Sequence, residues 1–318
     1  MKPLNIVFFG TPEFAKTSLE AIHISPHKIA GVVTVPDKAS GRGQKIQQSP
    51  VKMYAEQQRL PIFQPEKLKD PEFLQQMKSL NADVFVVVAF RMMPQVLFEI
   101  PSLGTFNLHA SLLPDYRGAA PINYAVINGE ETTGLTTFFI NEKIDEGSIL
   151  LQETVSILPD ENAGSLHDRL MHKGAELVVK TLNGLSQETL SAIPQPEALQ
   201  PKNAFKIFKE DTRIQWDQET DKVYNFIRGM SPHPCAFTIL KIGEEEKQLK
   251  IYSGRKELVS HSHAPATLEI SKTTFKIYTQ DGIYYPDEVQ LEGKKRMQTK
   301  DFLNGFQKYD HIHLLPTP

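Results

Sequence analysis

A doubly wound α/β sheet domain followed by a small β-barrel is the architecture this sequence predicts, on three observations. The first half alternates apolar, strand-like runs with helical stretches. One run, Ala82 to Phe90 (ADVFVVVAF), is continuously apolar, as expected of a central parallel strand covered on both faces. After Lys206 the pattern changes to short strand-like runs separated by Gly- and Pro-containing turns.

The elements follow in order. Asn5 to Phe9 (NIVFF) reads as a buried first strand ending at Gly10. Pro12 opens a helix over EFAKTSLEAI, because proline's missing N–H costs little in a first turn. Ile29 to Val35 is the next strand, and Ser49 is an N-cap candidate for a helix starting at Pro50. Thr105 to His109 is the strand after the apolar run. Phe138 to Leu150 (FFINEKIDEGSIL) reads as two strand-like runs joined by a turn that carries Asp145. Asn162 to Leu185 has a helical period, with Leu166, Leu170, Leu177 and Val178 near one stripe. Three prolines in the nine residues Ile193 to Pro201 mark a linker. The barrel strands are AFTIL, QLKIYSG, ATLEIS, TFKIYT and GIYYPDEVQL, with a helix-like TKDFLNGFQ after them. The expected domains are residues 1–192 and 207–318, joined by a linker over 193–206.

Composition narrows the function. The chain has 318 residues, room for two domains of about 100–200 each. Its net charge of −3 is unlike a protein that coats a duplex backbone, so any nucleic-acid contact must be local. A single cysteine, Cys235, excludes an internal disulfide framework and a Cys-based zinc site. It reads as a small core residue and fits a reducing compartment. Met1-Lys2-Pro3 runs straight into a strand with no signal segment, and Val84 to Phe90 is far too short to span a bilayer. A cytoplasmic protein is expected. The first βα turn has only Gly10 before TPEF and lacks G-x-G-x-x-G, which removes the main support for a dinucleotide-binding reading. His261 and His263 have no acidic or cysteine companion nearby in the sequence, and no metal is assigned.

Residues 104–121 (GTFNLHASLLPDYRGAAP) carry the most chemistry. Alternation along a strand puts Asn107 and His109 on one face. That face presents an amide donor beside a group that titrates near neutral pH. With the carboxylate of Asp145, these residues could make an acyl-transfer site, although a lone Asn-x-His on a strand is more often structural. A Pro-rich, Arg-containing loop follows the strand directly.

The string NLHASLLPDYRGAAPINYAVINGE resembles the signature of the folate-dependent formyltransferases. The resemblance runs from FFGTPEFA to the strand-rich tail, essentially the whole chain. It implies a Rossmann-like sheet domain followed by an OB-like barrel that binds tRNA. It also implies transfer of a formyl group from 10-formyltetrahydrofolate to an amine. The long loop Pro36 to Val51 (PDKASGRGQKIQQSPV) suits the members that formylate methionine on initiator tRNA, a step in translation initiation. Sugar-nucleotide N-formyltransferases are the nearest enzyme alternative, and a folate hydrolase is a third. The short glycinamide ribonucleotide enzymes lack the extra domain. The non-enzyme alternative is an RNA- or folate-binding module. The chain is expected to act as a monomer.

The implied catalytic residues are Asn107, His109 and Asp145. An oxyanion develops on the formyl oxygen and needs preorganised donors. Asn107 and a protonated His109 supply them. The amine loses a proton and the departing folate nitrogen gains one, a transfer suited to an imidazole. A carboxylate beside the ring would stabilise its charge and fix its orientation. Which residue relays the proton stays open.

For folate, the resemblance points to Ser111, Leu112, Leu113 and Pro114, with Phe90, Arg91 and Met92 as a second wall. At that wall the chain departs from a common family pattern, which has Tyr-Gly at 90 and 91 and an extra residue before the proline. For tRNA it points to Arg42, supported by Lys38 and Lys45, with Arg117 near the reacting end. Lys294-Lys295-Arg296 is a weaker patch. Sixteen residues is long for such a connection, usually about 2–6. Exposed Lys and Arg pair with phosphates.

Overall fold

The computed structural model describes residues 2–40, 45–197, 201–306 and 312–315. The chain divides into two compact units: Met1–Gly118, Thr133–Ser156 and His167–Asn203 in one, Ala119–Thr132, Ile157–Leu166 and Ala204–Pro318 in the other.

In chain order the first half runs β1 (Asn5–Gly10), α1 (Glu13–Ile24), β2 (Lys28–Val33), β3 (Lys38–Ser40), β4 (Lys45–Gln47), α2 (Pro50–Gln57), β5 (Ile62–Phe63) and α3 (Pro71–Ser79). It continues with β6 (Val84–Val88), α4 (Gln95–Phe98), β7 (Thr105–His109), β8 (Arg117–Gly118), α5 (Pro121–Ile127), β9 (Thr132–Phe139), β10 (Ile149–Ser156) and α6 (Ala163–Ser186). The first unit is built on a seven-stranded sheet of order β10-β9-β7-β6-β1-β2-β5. Strands β7, β6, β1, β2 and β5 are parallel, and β9 runs antiparallel to β7. The chain winds outward from β1 through β2 and β5, returns to β6, and then adds β7. That reversal is what makes a doubly wound sheet.

Burial explains the order. All five residues of β6 are buried, none more than 5 % exposed. Each such side chain contributes about 1.5–3 kcal/mol relative to exposure. Gly10 ends β1 because a larger residue would not fit: a Cβ there would lie 2.6 Å from the Ala15 methyl and 2.7 Å from the Phe8 ring. The glycine serves close packing of α1 on the sheet. Ser49 caps α2 as its sequence context predicts, its side chain accepting from the Lys52 N–H at 3.1 Å. The apolar run to Phe90 overshoots the strand, which ends at Val88, with Ala89 at φ 46°. Phe90 stays apolar because it still packs, edge-on to Phe9 at 5.7 Å.

The segment read as a long loop is a hairpin. β3 and β4 pair antiparallel, with Lys38 opposite Gln47 and Ser40 opposite Lys45. Three-residue polar strands leave no alternating signature for a sequence reading to find.

The second half adds β11 (Asn203–Ala204), α7 (Thr220–Met230), β12 (Ala236–Ile242), β13 (Glu245–Leu258), β14 (Leu268–Ile270), β15 (Phe275–Tyr278), β16 (Gly282–Leu291), β17 (Met297–Gln298), α8 (Thr299–Phe306) and β18 (Ile312–Leu314). The sheet of the second unit follows the path β14-β15-β16-β13-β12-β18, with β17 on β16. Its pairings are antiparallel, and the two ends of the path, β14 and β18, come into contact. The near-closure makes a small barrel whose core includes Leu240, Leu249, Ile251, Ile277, Tyr284 and Val289. All five predicted barrel strands are present. Helix α7 was not anticipated. Its buried Val223, Tyr224, Ile227 and Met230 fall at helical spacing, a signal the sequence did offer.

Cys235 is 2 % exposed, and burial pushes its thiol up to about 11. Only about one molecule in a thousand would carry the thiolate at pH 8. Native protein should therefore resist iodoacetamide at pH 8 and take up one equivalent after denaturation. Rapid labelling of the folded protein would show that this part of the core opens.

Among the described residues, no helix is long and apolar enough to cross a membrane. No group of three or more His, Cys, Asp or Glu among them is spaced to hold a metal ion.

Candidate active site

Strand β7 sets the first two groups. Phe106 and Leu108 face one side and are buried, at 0 % and 4 % exposure. The pleat then turns Asn107 and His109 to the other. Their register is held on both flanks: Asn107 lies opposite Val87 of β6 and Phe138 of β9, and His109 opposite Thr136 of β9. Asn107 is half-buried. No protein group among the described residues takes up its side-chain amide.

His109 is 6 % exposed and has a partner on each nitrogen. Its Nε2 lies 2.8 Å from the carbonyl oxygen of Tyr116, a residue at φ 61°. A carbonyl only accepts, so Nε2 carries a proton. On the other side, Nδ1 lies 3.8 Å from Asp145 Oδ2. The ring thus lies between a backbone carbonyl and a carboxylate. The structure brings together the three residues read from two distant stretches of sequence.

Asp145 is itself built into place. It sits at φ 55°, a left-handed conformation that Asp tolerates better than most residues. Its Oδ2 accepts from the Gly118 N–H at 2.9 Å. Its backbone carbonyl and that of Gly147 accept from the side-chain NH2 of Gln195, at 2.7 and 2.9 Å. The Gln195 carbonyl oxygen accepts from Arg117, at 3.2 Å from Nε and 2.6 Å from a terminal nitrogen. The other terminal nitrogen of Arg117 pairs with Glu146 at 3.3 Å. Sequence reading assigned Arg117 to tRNA and left Gln195 in a linker. Here the guanidinium is engaged within the loop that carries Asp145. The one available signal for Gln195 was a polar side chain between two prolines, which is too common to single out.

The loop after β7 is fixed through one hydroxyl. Thr136 Oγ1 donates to the Ser111 carbonyl at 2.7 Å and accepts from the Leu113 N–H at 3.2 Å and from Gln152 at 3.0 Å. Gln152 also donates to the Leu113 carbonyl at 2.9 Å, and Ser111 Oγ donates to the Asp115 carbonyl at 2.6 Å. The Leu113–Pro114 peptide is cis. Ser111 and Leu113 are therefore tied into the protein, while half-buried Leu112 keeps an N–H that meets no protein acceptor among the described residues. On the neighbouring loop, Phe90 and, from the loop after β9, Ile140 pack against one cluster that includes Phe9, Val87 and Met93. Met92 is 72 % exposed and Ile144 is 60 % exposed. Arg91 donates to the carbonyls of Pro65 and Glu66 while lying 5.5 Å over the Phe90 ring. Burial lowers its guanidinium from the ordinary range. Its charge bridges two backbone segments.

On the hairpin, Lys38 is exposed, Lys45 is described in its backbone alone, and Arg42 lies outside the described residues. Asp37 pairs with Lys52 at 2.5 Å and accepts from Gln64 at 2.8 Å. The Lys52 ammonium, then the Gln64 amide, hold its carboxyl below the usual range. The acid that could offset the hairpin's cations is thus already engaged by Lys52.

Residues 4–182 match the family model described as formyl transferase, and residues 206–307 match formyl transferase, C-terminal domain. A methionyl-tRNA formyltransferase of Flavobacterium johnsoniae is 48 % identical over 305 residues, 96 % of this chain and 97 % of that one. One from Bacteroides fragilis is 46 % identical over 308 residues, 95 % of each chain. An N-formyltransferase from Helicobacter canadensis, solved with folinic acid and dTDP-3-aminofucose, shares the fold at a TM-score of 0.65 and 20 % identity, covering 89 % of this chain and 99 % of that one. HypX from Aquifex aeolicus, solved with tetrahydrofolic acid, does so at 0.63 and 16 %, covering 96 % of this chain and 48 % of that one. With both of its characteristic domains present in order, the chain belongs to the formyltransferase family.

Proposed function

We propose that this chain transfers the formyl group of 10-formyltetrahydrofolate to the α-amine of methionine on initiator tRNA. The observation that carries the reading is His109 held between the Tyr116 carbonyl and the Asp145 carboxylate, beside an Asn107 amide that no protein group among the described residues uses. The acceptor's identity is supported by relatives of that activity along nearly the whole chain.

The residues present fit the donor. A flat pterin needs apolar walls and a few backbone groups along its edge. Met92 and Ile144 offer exposed apolar surface, and the Leu112 N–H is a donor with no acceptor among the described residues. Ser111, Leu113 and Pro114 shape the segment that presents it. Phe90 supplies the floor with Ile140, and Arg91 stiffens the wall by gripping the carbonyls of 65 and 66.

In the reaction, a bond forms between the methionine nitrogen and the formyl carbon, and the bond from that carbon to the folate nitrogen breaks. The Asn107 amide donates to the formyl oxygen as negative charge grows there. His109 moves the proton between the incoming and departing nitrogens, directly or through one water. Asp145 orients the ring and stabilises its charged form. The acceptor stem lies against the hairpin, where Lys38, Arg42 and Lys45 meet phosphates. Arg117 serves the loop carrying Asp145. The reading includes a monomer working in the cytoplasm, with charged tRNA as the acceptor.

The test supplies purified protein and 10-formyltetrahydrofolate with three acceptors in turn: methionine-charged initiator tRNA, an amino-sugar nucleotide, and water. Formyl-methionyl-tRNA is the expected product. Preferential formylation of the sugar nucleotide would transfer the assignment to the sugar-modifying branch, and release of formate alone would make it a hydrolase.

A further inference from the structure

Gln195 sits in the proline-rich stretch that the sequence presents as a linker, yet its amide is the hub of the loop that carries Asp145. Both hydrogens of its NH2 are used, one on the carbonyl of Asp145 at 2.7 Å and one on that of Gly147 at 2.9 Å. Its carbonyl oxygen takes two donors from Arg117, at 3.2 and 2.6 Å. A glutamine side chain makes at most about four such bonds, and here all four are made within the protein. The backbone beside it is also fixed: Ile193 and Ile149 exchange two hydrogen bonds, of 2.7 and 2.9 Å. Arg117 closes the ring by pairing with Glu146, the residue between the two carbonyls that Gln195 holds.

These bonds converge on the backbone on either side of a strained residue. Asp145 needs φ 55° to aim its carboxylate at His109 Nδ1. A left-handed non-glycine residue persists only where its surroundings over-determine it. We propose that Gln195, braced by Arg117, is a positioning residue that holds Asp145 against His109. It touches neither substrate nor the ring. The proposal rests on His109 and Asp145 being the working pair.

A double-mutant cycle in the full chain tests it. Gln195→Ala is expected to lower kcat by about 10- to 100-fold, the usual consequence of a catalytic group displaced by about 1 Å. KM for the formyl donor should change by less than about threefold, because the lost interaction acts in the transition state. Combined with Asp145→Asn, it should cost nothing further, since a neutral amide gains little from being aimed. Gln195→Glu keeps an acceptor for Arg117 but removes both donors to the loop, and should lose as much as the alanine variant. It carries the test if Gln195→Ala does not fold. The 15N signals of the His109 ring give a readout independent of turnover, and they should move in Gln195→Ala and in Asp145→Asn alike. Multiplicative losses in the double variant, an unchanged kcat in Gln195→Ala, or an unmoved ring signal would each overturn the proposal. A wild-type chain that formylates no acceptor would instead sink the formyl-transfer reading and leave the ring signal to decide about Gln195.

Discussion

Replacing His109 by glutamine is expected to lower kcat for formyl transfer by about 10²- to 10⁴-fold, the range typical of a lost general acid–base group. Glutamine is the informative choice. It can still donate to the Tyr116 carbonyl that His109 now meets at 2.8 Å, so a buried acceptor is not abandoned. It cannot titrate, and it cannot present a charged donor to Asp145. His109→Ala would add a second effect, removing the donor that this carbonyl now meets and leaving a cavity in a site where the imidazole is 6 % exposed. Losing a buried hydrogen bond costs about 1–3 kcal/mol. The two variants together separate chemistry from stability: both should be nearly inactive, and only the alanine variant should melt measurably earlier. Donor affinity should be close to normal in the glutamine variant. Turnover within a few-fold of wild type would remove the imidazole from the mechanism.

Gly147→Ala should be the most damaging single methyl group in the catalytic unit. A Cβ at 147 would lie 1.6 Å from the Phe139 carbonyl oxygen and 2.8 Å from its carbon, both backbone atoms that cannot rotate away. The same Phe139 donates its N–H to the Ser148 carbonyl at 2.9 Å, so the two segments cannot part without losing that bond. Overpacking of this kind costs about 1–3 kcal/mol, and more where backbone must move. The displaced segment includes the Gly147 carbonyl held by Gln195 and lies two residues from Asp145. Stability and kcat should therefore fall together, with a loss of at least several degrees in Tm. Gly305→Ala is the control. Nothing among the described residues lies within 4 Å of a Cβ there, and the residue is in helix α8, where alanine is the better helix former. A Gly147→Ala protein that melts and turns over like Gly305→Ala would show that the segment from 139 to 147 is not packed as described.

Much of this was legible from residue order because it is local or periodic. The buried strand Val84–Val88 announces itself by an unbroken apolar run. The cap at Ser49 follows from a Ser-Pro pair before a helix. The shared face of Asn107 and His109 follows from the two-residue period of a strand, and the string around them carries the family resemblance. The hairpin of Lys38–Ser40 and Lys45–Gln47 was harder, since strands of three residues are too short to leave a period, while helix Thr220–Met230 went unread although Val223, Tyr224, Ile227 and Met230 fall at helical spacing.

By itself, the sequence indicated the two-part architecture, the strand that carries Asn107 and His109, and Asp145 as the carboxylate to look for beside them. Only the tertiary structure decided how that carboxylate is aimed. It recruited the Tyr116 carbonyl, the Gly118 N–H, and Gln195 with Arg117. The physical reason is that these bonds run largely to backbone groups. Every residue carries such groups whatever its side chain, so no pattern of letters reveals which of them the fold will bring within 3 Å.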